Sequence, residues 1–275
     1  MKKSTYKPDL FIIDGNSQKK RKYIPVARAS INQKGVVDVD SVKGCELGMA
    51  AHPIGGCYNE CYAYKLARAR GFDFCTSVSR LPRKRSIMDC AKIVYRSCND
   101  WYRIGTSGDP SHDWVNTIDI IKALSICNKT PVIVTKHWVK MDETVISNVI
   151  KYGCVVNTSL SALDTDDEIC HRIQQHERLC KYGARAVLRV VTAKYGNTEY
   201  GRRCKRIQDE IISRGPYIDT PYRLSKSNRL LCGGHVMADR VVGSNGGSGS
   251  MVSIWKDAIH LGRCCDCPDK CGTIY

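Results

Sequence analysis

The sequence lacks any apolar run close to the roughly 18 residues that a membrane-spanning helix needs. Its first residues, "MKKSTYKPDLFIID", are rich in lysine and soon acidic, and they lack the long apolar stretch of a signal peptide. We therefore expect a cytoplasmic protein without a membrane partner. The 275 residues suffice for one large domain, since a single α/β barrel can use this length.

Acidic residues are scarce relative to basic ones. Asp plus Glu number 27 against 43 for Lys plus Arg, which gives a net charge of +16 and a pI near 9.2. The basic residues cluster in "KKSTYK", "KKRK", "GRRCKR" and "RLPRKR", the last with Arg80, Arg83, Lys84 and Arg85. Because such a surplus favours polyanions through counterion release, DNA or RNA is the predicted partner. A solvated surface that only aids solubility is the alternative.

Apolar β-branched runs alternate with amphipathic stretches along most of the chain. The runs lie at 35–45, 102–111, 131–138, 154–162 and 184–193, and 234–243 would add a sixth. This alternation is typical of βαβ units with a parallel sheet. It predicts an α/β fold, a partial (β/α)6-type or related β/α barrel with a small cysteine-rich C-terminal appendage. The predicted divisions are a basic extension (1–34), the barrel (35–240), and a Gly/Ser segment followed by the appendage (241–275).

Polar residues follow four of these runs at the point where the apolar residues stop. They occur in "GTSGDPSHDW", "TKHW", "NTSLSALD" and "RVVTAKYG". Turn and N-cap chemistry would explain any one of them. Four in register indicate a site, because chemistry in β/α barrels gathers at the carboxyl ends of the strands.

Sixteen cysteines in a reducing compartment indicate metal or cluster ligation rather than disulfides. Cys57 and Cys61 lie in a glycine-rich loop, and with Cys45 they lack the paired CxxC spacing of a zinc ribbon. Thiolates suit both zinc and iron–sulfur clusters. Seven other cysteines are predicted to be buried and unligated: Cys90, Cys98, Cys127, Cys154, Cys170, Cys180 and Cys204.

The loop "GCYNECYAYK" (56–65) ends in "CYA" and opens a basic helix. It resembles the cluster loop of the radical S-adenosylmethionine (SAM) superfamily, most closely phage-associated members in which three cysteines lead into "CYA". It is more loosely similar to the spore photoproduct lyase branch. "GTSGDP" and "VTKHW" resemble the strand-end Asp and "TK" pair of such relatives. The resemblance covers about residues 35 to 195.

This resemblance implies a [4Fe–4S] cluster on three thiolates, with the amino and carboxylate groups of SAM on the open iron. Reductive cleavage of SAM to a 5′-deoxyadenosyl radical would follow, with an electron donor such as flavodoxin or ferredoxin. The usual Cys-x3-Cys-x2-Cys motif would begin at Cys57 and Cys61 but finds Tyr64 at its third position. The third ligand is Cys45 if "CYA" marks the last one, and Cys75 if the motif is read forward. We prefer Cys45, and Cys75 stays open.

The resemblance also assigns SAM-binding roles by position. Contacts to the amino group and to the ribose hydroxyls are implied for Ser107, Gly108, Asp109, Asn157 and Ser159. Arg189 lies inside the apolar strand "AVLRVVT", where a cation is costly unless an anion pairs with it. That anion would be the SAM carboxylate or a neighbouring carboxylate of the protein. Lys136 and His137 would face substrate or serve as capping residues.

The segment "CCDCPDKC" is dense enough in cysteine to bind metal by itself. Its candidates are Cys264, Cys265, Cys267 and Cys271, with Cys232 as a further ligand if one of the adjacent pair is not used. An auxiliary iron–sulfur cluster and a structural zinc both fit, and the Cys-Pro pair favours iron–sulfur.

Two main hypotheses follow. The first is a radical SAM enzyme that modifies or repairs a nucleic acid or a nucleotide-derived substrate. The second is a zinc-stabilised nucleic-acid-binding module without catalysis. An iron–sulfur redox protein that does not use SAM is a third.

Overall fold

The computed structural model describes residues 27–32, 34–52, 57–71, 73–74, 86–238, 240–242, 250–253 and 264–275. Within these ranges the chain has an α/β fold built on one large, mostly parallel sheet. No helix of the described part combines the length and the apolar composition that crossing a bilayer requires.

Six neighbouring parallel strands form the centre of a nine-stranded sheet. They are β2 (Val37–Asp40), β3 (Trp101–Ile104), β4 (Thr130–Thr135), β5 (Val155–Leu160), β6 (Arg185–Thr192) and β8 (Tyr217–Leu224). Antiparallel strands lie at the edges: β1 (Arg28–Ile31) beside β2, and β11 (Ser250–Ser253) followed by β10 (Arg240–Val242) beside β8. A separate antiparallel pair consists of β7 (Lys194–Tyr195) and β9 (Val236–Met237).

Helices follow the parallel strands, as βαβ connections require. They are α1 (Glu46–Ala51), α2 (Tyr62–Ala69), α3 (Ile87–Arg96), α4 (Trp114–Leu124), α5 (Glu143–Lys151), α6 (Asp166–Lys181), α7 (Glu199–Ser213) and α8 (Arg229–Cys232). Side-chain N-caps begin the longer helices, and Thr165 and Glu168 form a reciprocal capping box at α6. Local sequence thus sets where these helices start.

The two faces of the sheet bury different sets of side chains, because successive strand residues point to opposite faces. Tyr102, Ile104 and Ile133 belong to the large core that also contains helix residues such as Ile121 and Val149. The opposite, inner face carries a smaller apolar group near the beginnings of the strands: Val36, Trp101, Val132, Val155, Val187 and Ile218. Polar residues follow along this inner face and lead to the candidate site.

The α/β class is confirmed, and a strand lies in each of the five predicted runs. The predicted sixth strand at 234–243 is wrong, since that segment holds only the short antiparallel strands β9 and β10. The sixth parallel strand is β8, "YIDTPYRL". Pro216 and Pro221 obscured it, because proline in a run argues against a central strand.

The sheet also extends beyond the predicted divisions of the chain. β1 lies within the segment predicted as an N-terminal extension, where it pairs with β2. β11 lies beyond residue 240 and pairs with β8. The last cysteine-rich residues pack against the inner face of the sheet.

The predicted burial of the seven unligated cysteines is partly right. Cys90, Cys127, Cys154 and Cys204 are buried. Burial is wrong for Cys98, which follows α3, and for Cys170 and Cys180 on the outer side of α6. These three thiols are exposed to solvent.

Candidate functional site

Three cysteines, one before α1 and two in the loop before α2, line one cavity of about 410 Å³. Cys45 precedes α1, Cys57 lies in the loop before α2, and Cys61 immediately precedes α2. The strands contribute further lining side chains, namely Arg103, Val134, Ser159, Arg189 and Thr220, and the loops after β3 and β4 contribute Gly108, Asp109 and Lys136. The cavity therefore joins the cysteine loop to the polar residues at the strand ends.

Close backbone packing holds Cys45 in place. Its N–H donates to the carbonyl of Phe74 at 3.0 Å, and the preceding Gly44 forms a β-bridge with Gly108. Gly48 on α1 leaves room for the thiol, because a Cβ at that position would lie 2.4 Å from Cys45 Sγ. A side chain at residue 48 would displace the sulfur.

Cys61 sits at the N-terminus of α2. Burial raises its pKa, and the backbone N–H groups of Tyr64 and Ala63, which hydrogen-bond to its sulfur, lower the pKa in part. Donors at a helix N-terminus stabilise a thiolate in this way. The net effect leaves the pKa of Cys61 above its usual value.

The loop between Cys57 and Cys61 has an unusual backbone. Tyr58 and Asn59 adopt left-handed conformations, with φ of 55° and 62°. Such conformations cost on the order of 1 to 3 kcal/mol each and persist where surrounding contacts hold them. Here the Tyr222 hydroxyl donates to the Tyr58 carbonyl at 3.0 Å, and Ser225 Oγ donates to Glu60 at 2.7 Å. The end of β8 thus fixes the loop.

A buried ionic network holds the Tyr58 side chain. Its hydroxyl donates to Asp164, and Lys136 Nζ lies 2.9 Å from both the Tyr58 hydroxyl and Asp164 Oδ1. Arg172 Nη1 lies 2.6 Å from Asp164 Oδ2. Burial alone would raise the pKa of Asp164, but Arg172 and Lys136 outweigh it and hold that pKa well below its usual range. The sequence analysis missed Tyr58, Asp164 and Arg172, which come together only through the fold.

Asp164→Asn is expected to destabilise the protein by about 3 to 5 kcal/mol, because it leaves Lys136 and Arg172 buried without their shared carboxylate. Urea unfolding followed by circular dichroism measures this loss. Asp166→Asn is the matched control, since its ion pair with Arg203 is exposed, with the Asp166 side chain 73% accessible. That change should cost less than about 1 kcal/mol. Equal costs would show that the buried network does not hold the loop.

The three thiols hold their protons in the absence of a ligand. Burial raises the pKa of Cys57 to about 11, with Lys136 partly opposing it. Burial also raises the pKa of Cys45, and the charges of Asp109 and Cys57 raise it further. Since metals and clusters bind thiolates, loading this site would release protons.

The spacing of the three sulfurs differs from that around a single ion. Within the described ranges, only His52, Asp164 and Glu168 bring three potential ligand atoms within 4.8 Å of one another. Zinc at about 2.3 Å from each thiolate would hold its sulfurs about 4 Å apart. The sulfurs of Cys45, Cys57 and Cys61 do not form such a group. Arg172 contacts the carboxylates of Asp164 and Glu168 in the His52 group. Its positive charge, together with that of Lys136, offsets the negative charge of the two carboxylates.

Two predicted SAM-binding residues have other partners. Ser107 does not line the cavity, and its N–H donates to Asp40 Oδ1 at 2.8 Å. Asn157 is fully buried beneath the cavity, where its side chain hydrogen-bonds to Arg189 and to the Cys271 carbonyl. Asn157 does not line the cavity, and its ribose contact stays a prediction.

Asp109 lines the cavity with a carboxylate that is already well bound. It accepts hydrogen bonds from Ser111 N at 2.9 Å, Thr135 Oγ1 at 2.7 Å and Lys136 N at 2.6 Å. Its oxygens offer about four acceptor positions, so one remains for a ligand. Asp109 thus joins the loops after β3 and β4 while facing the cavity.

Arg189 reaches the cavity without a carboxylate partner among the described residues. Its Nη1 donates to the Asn157 amide oxygen at 3.2 Å and lies 4.0 Å from Cys271 Sγ. Arg103, in contrast, pairs with Asp38 at 2.8 Å. The internal salt bridge that the sequence left open for Arg189 is therefore not formed in this part of the chain.

Lys136 and His137 face different surroundings. Lys136 lines the cavity. His137 is fully buried, with Nε2 3.0 Å from Thr158 Oγ1, and burial lowers its pKa to about 3. A neutral His137 therefore packs in the interior, and only Lys136 can meet a ligand in the cavity.

The remaining predicted residues either fall outside the described part of the chain or lie away from the cavity. Cys75 and the cluster Arg80, Arg83, Lys84 and Arg85 fall outside the described residues. Cys232 ends α8, which follows the carboxyl end of β8, whereas Cys264 and Cys271 pack with Ile218 near its beginning. Because β8 is roughly 20 Å long, Cys232 is separated from the C-terminal cysteines.

Comparison with known proteins assigns no family: no family model and no curated protein matches this chain.

Proposed function

We propose that this protein is a radical SAM iron–sulfur enzyme. The observation that carries the proposal is the convergence of Cys45, Cys57 and Cys61 on one cavity that also exposes the guanidinium of Arg189, which has no carboxylate partner among the described residues. Three thiolates suit a cluster that keeps one iron open for a ligand. When bound, the cluster supplies the electron that cleaves SAM to a 5′-deoxyadenosyl radical, after reduction by a donor such as flavodoxin or ferredoxin.

The residues around the cavity offer complementary groups for SAM. Arg189 would pair with its carboxylate, and the free acceptor position of Asp109 would take a hydrogen bond from its amino group. Ser159 would hold a ribose hydroxyl. Phe74, Val134 and Trp138 give the cavity apolar walls that limit access of water.

The shape of the sheet supports a partial (β/α)6-type barrel. Side chains from β3, β4, β5, β6 and β8 all line the same cavity. These five strands would extend over about 19 Å in a flat sheet. The sheet would therefore curve around the cavity. Its antiparallel edge strands would leave the barrel open.

A cationic notch beside the cavity supports a nucleic-acid substrate. Arg28, Lys43 and Arg70 line this notch, and Ala63 lines both the notch and the main cavity. Burial lowers the pKa of Lys43, and the charges of Arg28 and Arg70 lower it further. A phosphate in the notch would relieve this repulsion and place an attached nucleoside near the cavity.

The double variant Arg28→Glu/Arg70→Glu is expected to weaken binding of DNA or RNA at least 10-fold at low salt. The slope of log affinity against log salt should also become less steep, by the amount that corresponds to about one to two lost phosphate contacts. Fluorescence anisotropy over a salt series measures both. Lys181→Glu/Arg206→Glu, which reverses two exposed charges on the outer helices, is the control. Equal losses in the two double variants would show that binding does not use the notch.

Metal analysis distinguishes the enzyme from the zinc-stabilised binding module. Protein purified without oxygen is expected to be brown and to contain iron and sulfide, with visible absorption that bleaches on reduction. Colourless protein with stoichiometric zinc would instead establish the binding module. Clusters without SAM cleavage would indicate an iron–sulfur redox protein.

A further inference from the structure

The C-terminal cysteines pack against the inner face of the sheet, at the opposite end of the strands from the first cysteine set. Two short 3-10 turns, Cys264–Asp266 and Lys270–Gly272, carry three of them, and Cys267 lies between the turns. Cys264 and Cys271 pack against the inner-face group that includes Val187 and Ile218. The Cys264 N–H donates to the Lys34 carbonyl at 3.1 Å, which ties this segment to the start of β2. The tail thus covers the beginnings of the strands.

The four cysteines fall into two groups by exposure. Cys264, Cys267 and Cys271 are half-buried, whereas Cys265 is exposed. The Cys267 N–H donates to the Cys264 carbonyl at 3.2 Å, and Cys264 and Cys271 pack against the same inner-face group, so these residues lie near one another. Cys265 faces solvent instead. The tail therefore presents three thiols inward.

The backbone around Cys271 is as unusual as that around Tyr58. Lys270 and Cys271 have φ of 40° and 52°, so four of the six left-handed non-glycine residues in the described chain lie in the two cysteine loops. Gly272 permits close docking, since it has a φ of +84° and a Cβ there would lie 3.0 Å from Val187 Cγ2. Backbone hydrogen bonds hold this turn, from Lys270 N to the Cys267 carbonyl at 3.3 Å and from Gly272 N to the Asp269 carbonyl at 2.6 Å.

A guanidinium group supplies positive charge beside these thiols. Arg189 Nη1 lies 4.0 Å from Cys271 Sγ. Three thiolates around a cluster carry net negative charge, which nearby cations and hydrogen bonds stabilise. Arg189 is suitably placed for that role without being a ligand.

We propose that Cys264, Cys267 and Cys271 bind a second [4Fe–4S] cluster, which closes the amino-terminal end of the barrel interior. Cys265 is not a ligand. The three inner sulfurs, like those of the first set, are not all within 4.8 Å of one another, which favours a cluster over one zinc ion.

The second site would also position Arg189. Asn157 Nδ2 donates to the Cys271 carbonyl at 3.0 Å, and Asn157 Oδ1 accepts from Arg189 Nη1 at 3.2 Å. The backbone of Cys271 is therefore linked through the Asn157 side chain to Arg189, the cation that faces the first cysteine set. This consequence, unlike the metal site itself, rests on the proposed function, since it concerns the arginine assigned to the SAM carboxylate.

Iron and sulfide analysis tests the second site independently of SAM cleavage. Reconstituted full-length protein should contain about eight irons, and Cys45→Ser/Cys57→Ser/Cys61→Ser should retain about four. In that background, adding Cys264→Ser or Cys271→Ser should remove the remaining iron, whereas Cys265→Ser should not. Circular dichroism would verify that each variant is folded.

Two results would overturn the second site. One is a folded triple variant that contains no iron, and the other is loss of its iron on adding Cys265→Ser as well. An iron count of about four in the wild type would also exclude a second cluster, without any variant. If the second site is present but the wild type does not cleave SAM, the proposed function fails while the metal site stands.

Discussion

Replacing Cys45, Cys57 or Cys61 with alanine is expected to remove the N-terminal cluster and all SAM cleavage. Each thiol lines the same cavity, and a three-thiolate site has no spare ligand. Iron per chain should fall by about half, because the C-terminal site would remain loaded. Iron and sulfide analysis and a SAM-cleavage assay measure the two losses.

Cys90→Ala is the matched control. Cys90 is fully buried on α3, among apolar residues of the helix-covered face. Its replacement should change neither iron content nor SAM cleavage.

Cys75→Ala tests the alternative in which the motif is read forward and Cys75 is the third ligand. If Cys45 is the third ligand, the Cys75 variant keeps its cluster. Loss of iron in Cys75→Ala and retention in Cys45→Ala would reverse the assignment.

Arg189→Ala is expected to weaken SAM binding by at least 30-fold while leaving both iron sites loaded. The guanidinium faces the cavity and pairs with no carboxylate of the described residues, so its removal would leave a buried ligand carboxylate unpaired. Loss of one partner of a buried charged pair costs about 2 to 5 kcal/mol. Equilibrium dialysis against labelled SAM gives the affinity, and iron analysis reports the clusters.

Arg206→Ala provides the control for charge, because Arg206 is exposed on α7. It should bind SAM as the wild type does. Arg189→Lys should recover part of the affinity, since the ammonium restores the charge without the two-donor geometry. Unchanged SAM affinity in Arg189→Ala would remove Arg189 from the cofactor site.

Local patterns were sufficient to predict the α/β class and the positions of five parallel strands. Apolar β-branched runs such as 131–138 and 184–193 are long and bounded by turn residues, so their strands are visible without tertiary information. The sequence also singled out Cys45, Cys57 and Cys61. The structure places these thiols on one cavity, while their role as ligands stays a prediction.

Features that depend on distant contacts were beyond the sequence. Asp164 meets Tyr58 across 106 positions, and Asn157 meets Cys271 across 114. Neither pair has a local signal, because its two residues are more than 100 positions apart in the chain. Asn157 illustrates the consequence: its strand-end position suggested a ligand contact, but the C-terminal tail occupies its amide.

The most direct test of the account is mass spectrometry for 5′-deoxyadenosine after anaerobic reconstitution and reduction in the presence of SAM. Wild-type protein is expected to form it, Cys57→Ala is expected to form none, and adding DNA or RNA should change the amount if nucleic acid is the substrate. Wild-type protein that carries both clusters and binds SAM but forms no 5′-deoxyadenosine would contradict the proposal that this cavity performs radical SAM chemistry.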